Sequence, residues 1–258
     1  MFVAGCWELL GIPYTGNTPI TLGLAQDKVL TKKLLNSEHI PTPDYEVYDE
    51  YPDDTHLSYP LIAKPSREDG SVGITQHSVI ENRSELQQVV NRLLHKYQQP
   101  ILVEKFIAGR EFNVAVFGNR DLHTLPVSEI SFRDVGKSYH AITSYEAKWL
   151  EEHPLYHQTP SVCPADIEKE LKQNLESTAL RVFRILGGRD YGRVDFRMDE
   201  QNQIYVLEYN PNPDIAADAG FSKALKAAGI PYENFIEQML EEALARNTSQ
   251  MISLAGNN

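Results

Sequence analysis

Residues 192–210 read Gly-Arg-Val-Asp-Phe-Arg-Met-Asp-Glu-Gln-Asn-Gln-Ile-Tyr-Val-Leu-Glu-Tyr-Asn, and no other stretch limits the fold so tightly. The first half alternates without a break, so a strand here carries Arg193, Asp195 and Arg197 on one face and Val194, Phe196 and Met198 on the other. The polar run 199–202 supplies a hairpin turn. On the returning strand, simple alternation groups Ile204, Val206, Glu208 and Asn210 on one side, and pairing about the turn brings Asp195 close to Glu208. Facing carboxylates repel, so a fold that holds them together calls for a compensating cation. The all-oxygen set Asp195, Glu208 and Asn210 suits Mg²⁺ rather than zinc. The same residues also make an ordinary solvated hairpin face, and the stretch by itself leaves both readings open.

Composition narrows the class. With 258 residues, 41% hydrophobic and 23% charged, the chain has the make-up of a soluble globular protein of one large domain or two small ones. A net charge of −12 argues against a nucleic-acid binder, which presents an excess of Lys and Arg. Cys6 and Cys163 are the two cysteines, too far apart for a zinc site or a disulfide framework. No apolar run reaches the ~18–20 residues of a membrane span, and the opening residues lack the basic segment of a secretory leader. The expectation is a cytoplasmic protein with no membrane partner.

Along the chain, residues 3–10 read as the last turns of a helix closed by Gly11, ahead of a turn-rich connector at 12–17. In 26–37, Val29, Leu30, Lys33, Leu34 and Leu35 outline an amphipathic helix with Asp27 as N-cap and Lys28 in its first turn, both ordinary structural roles. An apolar strand at 59–65 ends in Lys64 and runs into the flap 66–73, whose glycines and hydroxyls suit phosphate although the GxxxxGK[ST] pattern is absent. A strand at 74–79, a helix at 83–97, and strands at 100–107 and 112–117 follow. Strand signals continue to Phe132, and the irregular stretch 133–160 reads as a lid or binding loop. Pro164 opens a long helix ended by Gly187-Gly188. Beyond the hairpin lie helices at 222–228 and from Pro231 to about Arg246, then a polar, frayed tail.

Taken in this order, the lysines at element starts and ends, the flap, the strand-end Glu104-Lys105 pair and the carboxylate hairpin resemble the ATP-grasp ligases, specifically the D-alanine–D-alanine ligase branch. The resemblance covers nearly the whole chain, from Leu9-Leu10-Gly11-Ile12-Pro13-Tyr14-Thr15-Gly16 to the last helix. It implies an α+β ATP-grasp fold, two α+β lobes with the nucleotide cleft between them. On this basis residues 1–20 are a remnant or the end of a preceding domain, 21–108 form the small lobe, 109–246 the large lobe with the metal site, and 247–258 the frayed tail. It implies that Lys28 and Lys64 bind ATP phosphates and that Ser71 in the flap approaches the β/γ oxygens. Glu104 would accept from the adenine amino group, with the backbone of Lys105 and Ile107 completing recognition and Glu111 holding the ribose. Asp195, Glu208 and Asn210 would bind Mg²⁺, or Mn²⁺ in its place, while Arg193 and the loop lysine Lys148 act on the transferring phosphoryl group.

The implied reaction joins a small carboxylate to a small amine through an acyl phosphate, and a homodimer is compatible with it. Two mutational expectations follow. Neutralising Asp195 or Glu208 should abolish phosphoryl transfer with little effect on folding, relief of a like-charge pair if anything stabilising the metal-free protein, and removing Glu104 should weaken adenine nucleotides while sparing tripolyphosphate. Several residues depart from the branch. Gly70-Ser71 stands where it has a serine pair, Trp149 replaces the tyrosine after the loop lysine, and Asp214 replaces a glycine, with Asp218 nearby and no following serine. Acidic residues there disfavour an acceptor carboxylate, so a substrate other than a second D-alanine is expected. The chain also begins in what reads as the final helix of a preceding α/β domain. A nucleotide-binding module without complete catalysis is the alternative reading.

Overall fold

The computed structural model describes residues 1–136 and 138–255, with side chains described to residue 246. The last helix runs from Tyr232 to Ala255, past the end expected at about Arg246, and of the expected frayed tail residues 256–258 lie outside the described residues. Strands β1 (Tyr45–Tyr48), β2 (Leu61–Pro65), β3 (Val79–Ile80) and β4 (Ile101–Lys105) form a four-stranded sheet in the order β1-β4-β2-β3. Strands β5 (Arg110–Gly118), β6 (His123–Thr124), β7 (Ser128–Ile130), β8 (Ser161–Val162), β9 (Asp190–Met198) and β10 (Ile204–Asn210) form the second, in the order β10-β9-β5-β7-β8 with β6 paired to β5. The helices are α1 (Phe2–Leu9), α2 (Pro19–Gln26), α3 (Lys28–Ser37), α4 (Arg83–Tyr97), α5 (Tyr145–Trp149), α6 (Pro154–Gln158), α7 (Lys169–Ile185), α8 (Gly220–Ala227) and α9 (Tyr232–Ala255).

Each sheet buries one face against one long helix. Leu86, Val89, Val90 and Leu93, at helical spacing along α4, pack on Leu61, Ala63, Ile80 and Val103 of the smaller sheet. On the larger sheet Leu175, Ala179, Val182 and Phe183 of α7 cover Phe112, Val114, Val194 and Phe196. Each of the Leu, Val, Ile and Phe side chains among these contributes about 1.5–3 kcal/mol on burial, so these two faces fix which side of each sheet is left for chemistry. Ala25, Leu35 and Ile40 also join the larger sheet's core, although the sequence groups them with the small lobe. The chain's two ends meet on β9, where the fully buried Asp190 accepts from both Arg246 Nη atoms (2.6 and 2.9 Å) and from Gly16 N (2.7 Å).

Three local expectations are corrected. Helix α2 was not anticipated, yet Thr18 caps it by accepting from Thr21 N, and Pro19 occupies its first turn. The helix expected from Pro164 begins at Lys169, because the preceding segment is spent on the sheet, with Ala165 N donating to Val127 O (2.8 Å). The strand expected at 74–79 shrinks to β3. Thr75 and Ser78 form a reciprocal cap that turns Gln76–Ser78 into a short 3₁₀ helix instead.

Candidate active site

The hairpin β9–β10 carries the acidic pair, and an extra residue aims it. The register runs Ile204 to Met198, Tyr205 to Arg197 and Val206 to Phe196, then shifts at a bulge and resumes with Glu208 opposite Asp195, Tyr209 opposite Val194 and Asn210 opposite Arg193. Cross-strand partners share a face. Ile204, Val206 and Tyr209 therefore enter the core, while Glu208 and Asn210 join Arg193 and Asp195 on the opposite side. The side shared by Ile204, Val206, Glu208 and Asn210 in the sequence reading is thus corrected. Leu207 is the inserted residue, and were it paired like its neighbours, unbroken alternation would send Glu208 into the core opposite Val194.

The expected closeness of Asp195 and Glu208 is present, and side chains compensate their repulsion. Arg193 grips Asp195 through Nε to Oδ1 (2.6 Å) and Nη2 to Oδ2 (2.7 Å), and Asn113 Nδ2 donates to Oδ1 (2.8 Å). Lys28 Nζ lies 3.5 Å from Glu208 Oε2. Burial pushes the Glu208 carboxyl up, but Lys28, Lys64, Lys148 and Arg193 outweigh it and hold the pKa at about 2. Among the described residues no three His, Cys, Asp or Glu side chains gather into a closed metal cage. Asp195, Glu208 and, at the second cavity's edge, Asn210, whose Oδ1 also accepts from Asn212 N (3.0 Å), are hard oxygen donors of the kind Mg²⁺ takes alongside water and phosphate. The donor set fits that ion.

Helix α3 was expected to bury Val29, Leu30, Lys33, Leu34 and Leu35. It instead buries Lys28, Thr31, Lys32 and Leu35, with Leu30 43% exposed. Asp27 caps it, accepting from Val29 N and Leu30 N (both 3.1 Å). Lys28 reaches the flap at the Glu68 carbonyl and Asp69 Oδ1 (3.4 Å). Burial works against its charge, yet Glu208 and Asp69 outweigh that and raise its pKa. One turn on, Lys32 is fully buried 2.8 Å from Glu104 Oε2, while Glu104 Oε1 accepts from Lys64 Nζ (2.6 Å). Oε2 meets Lys32 as an ion pair and accepts no other hydrogen bond from a described residue.

Between the sheets a cavity of about 420 Å³ brings together Lys64, Ser71, Glu104, Lys105, Ile107, Glu111, Lys148, Arg193, Asp195 and Glu208. Asn210 lines a second cavity of about 850 Å³, which shares Lys148 and Arg193 with the first. Lys28 lines neither and acts on the first through its contact with Glu208. Lys105 N donates to Asp44 O (2.9 Å). Glu111, expected at the ribose, holds the loop: Oε1 accepts from Thr143 Oγ1 (2.8 Å) and Oε2 lies 2.9 Å from Arg197 Nη2. The flap is joined to the same loop. Ser71 Oγ donates to Thr143 O (2.8 Å), and Trp149 Nε1 donates to Gly70 O (2.7 Å).

Residues 33–241 match the family model described as the D-ala D-ala ligase C-terminus. The chain belongs to this family. An uncharacterized protein of Sinorhizobium fredii is 35% identical over 240 residues, covering 93% of this chain and 68% of that protein. The D-alanine–D-alanine ligase of a Marinomonas species is 33% identical over 243 residues, covering 92% and 71%. The crystal structure of D-alanine–D-alanine ligase from Bacillus anthracis complexed with ATP superposes with a TM-score of 0.76 at 24% identity, covering 96% of this chain and 76% of that one. The ligase structure from Coxiella burnetii gives 0.76 at 22% identity, covering 98% and 66%. These likenesses establish the ATP-grasp fold, with its α+β architecture as expected.

Seen against the family, two of the departures noted in the sequence touch each other. The Trp149 indole lies where a Cβ on Gly70 would come within 3.4 Å of its Cζ2, and Gly70 holds φ +64, a conformation that side chains disfavour. The sequence reading missed Lys32 and gave no role to Arg197, which is 4% exposed and donates to the Gly109 carbonyl (3.2 Å) besides pairing with Glu111. For Lys32 the available signal is its spacing of four from Lys28, which puts both on one helix face. For Arg197 it is the shared strand face with Arg193 and Asp195.

Proposed function

We propose that this chain carries the ATP-binding and phosphoryl-transfer centre of a carboxylate–amine ligase that works through an acyl phosphate and accepts a substrate other than a second D-alanine. The observation supporting this is the convergence of Lys64, Lys148 and Arg193 on the Asp195–Glu208 pair in one cavity. In this reading Lys28 and Lys64 hold the phosphates, Ser71 covers the β/γ oxygens, and the backbone of Lys105 and Ile107 with Glu104 Oε2 receives the adenine. Glu111 faces the ribose. Asp195, Glu208 and Asn210 would hold Mg²⁺, which when bound supplies charge neutralisation on the phosphate oxygens. A substrate carboxylate oxygen attacks the γ-phosphorus and ADP departs. The amine then attacks the acyl carbon, phosphate leaves, and the amine gives up a proton. Arg193 and Lys148 sit where negative charge develops in both steps, and the flap joined to the loop excludes water from the intermediate.

The second cavity, lined by Lys148, Trp149, Arg193, Asn210 and Asp214, is the acceptor side. Asp214 spends one oxygen on Ala216 N (2.9 Å) and keeps its charge in the wall, whereas Asp218 does not line this space. A carboxylate about 4 Å from Asp214 would be disfavoured by roughly 1–4 kcal/mol. Phosphate release from ATP, measured with pooled amino acids and small amines, tests the proposal. Amine-dependent release is expected, with amines lacking an α-carboxylate ahead of D-alanine. D-Alanine as best acceptor would overturn the substrate reading. Tight Mg-ATP binding with no amine-dependent turnover would make the chain a binding module.

A further inference from the structure

The buried lysine that the proposed chemistry does not use lies at the junction of the two sheets. Lys32 is 0% exposed, and its ammonium meets Glu104 Oε2 at 2.8 Å and donates to Thr42 Oγ1 at 2.5 Å. Thr42 Oγ1 in turn donates to the carbonyl of Val206 (2.8 Å), and Val206 N donates to Pro41 O (2.8 Å). Val206 is the last residue before the bulge that turns Glu208 toward the cavity. The other oxygen of Glu104 holds Lys64. An unbroken polar path therefore runs from Lys64 through Glu104, Lys32 and Thr42 to the backbone that aims Glu208.

We propose that Lys32 is a positioning residue that, through Glu104 and Thr42, sets the phosphate-side lysine Lys64 and the metal-side carboxylate Glu208 in one shared geometry. A bulge is a weak point in a ladder, since the inserted residue takes no part in cross-strand pairing. Here its carbonyl neighbour is pinned from outside the sheet by a hydroxyl, and that hydroxyl is itself held by a buried cation. A buried ammonium is retained only with good partners. Lys32 has two, one from each side of the cleft, so displacement of either is felt by the other. Burial is the main reason the Lys32 pKa falls to about 8, Glu104 opposing and Lys64 adding to the shift. Besides these and the more distant Glu208, Lys32 faces the Tyr45 ring at 5.5 Å.

The test separates this role from the nucleotide assignment on which its functional side rests. Thr42→Val removes the hydroxyl at constant shape and Thr42→Ser restores it, while Lys32→Met, which leaves Glu104 with Lys64 alone, is the harsher variant. Amide hydrogen exchange of the ligand-free protein is read first. Thr42→Val should speed exchange of the 204–210 peptide by about three- to tenfold, as expected for one lost hydrogen bond, with the 83–97 helix unchanged and Thr42→Ser close to the parent. Binding of a fluorescent ATP analogue is read second, with and without Mn²⁺. Thr42→Val should reduce the affinity gained from Mn²⁺ by a similar factor and leave metal-free affinity within about twofold. Unchanged exchange at 204–210 in both Thr42→Val and Lys32→Met overturns the relay. So does failure of Thr42→Ser to rescue. Faster exchange together with no nucleotide binding by the parent protein would sustain the relay and overturn the nucleotide assignment instead.

Discussion

Asp195 is held by Arg193 through two parallel hydrogen bonds and by Asn113 through a third, and this reverses what its sequence neighbourhood suggests. Relief of a like-charge pair predicts a more stable metal-free protein on neutralisation. With Arg193 already committed to it, Asp195→Asn should instead lower stability by about 1–3 kcal/mol, since one partner of a charge-assisted bidentate pair is lost. Urea unfolding in EDTA measures this, and an unchanged or raised midpoint would mean that the Arg193–Asp195 pair contributes nothing. Lys32 gives a pH signature of the opposite kind. Its pKa is lowered from 10.5 to about 8 in the folded chain, so between those values the unfolded state binds a proton that the folded state does not. Stability relative to Lys32→Met should therefore rise with pH across this window and level off above it. A difference between the two proteins that stays flat from pH 7.5 to about 10.5 would show that the ammonium suffers no penalty from burial.

At the scale of elements, the decisive feature is the one-residue bulge in β10. Side chains on a strand repeat every two residues, so one inserted residue moves all that follow to the other face. Inserting one more residue after Leu207 should turn Glu208 toward Val194 in the core, and Tyr209 toward the cavity. A carboxylate driven into that core without a partner should destabilise the fold by at least about 3 kcal/mol, whereas Leu207→Ala, which keeps the bulge, should be mild. Equal stability of the insertion variant and the parent protein would show that register is set elsewhere. Helix α3 makes the same point. Its buried stripe is two lysines and a threonine with Leu35, so its orientation is fixed by carboxylates across the cleft as much as by apolar contact.

Across the whole molecule, both sheets turn a charged face to one cavity, and Glu104 belongs to the four-stranded one. Glu104→Ala should weaken tripolyphosphate as well as ATP, because it removes the only carboxylate shown paired with Lys64 and Lys32 among the described residues. Competition binding with both ligands distinguishes this from a purely adenine-directed role. If tripolyphosphate is spared, the lysine pair does not depend on Glu104.

Much of this arrangement was written in local sequence. The alternation in β9, the Asp195–Glu208 pairing, α4 with its apolar stripe and the cap at Asp27 follow from periodicity and backbone hydrogen bonding within a few residues, and they appear as expected. The order of motifs was also enough to indicate the ATP-grasp family. What the sequence could not settle depends on contacts between segments far apart. Leu207 looks like any other strand residue, and it becomes a bulge only when the core on Phe196 and the register of β9 are both satisfied. Lys32 looks like a surface lysine until Glu104, 72 residues later, offers it a charge in the interior. Trp149 and Gly70 are unrelated departures until the flap and the loop meet. Periodicity reports which side of its own element a residue occupies. The partner waiting on that side is decided by the packing of the whole chain, because burial of a charge or a bulge is tolerated only where a distant group compensates it.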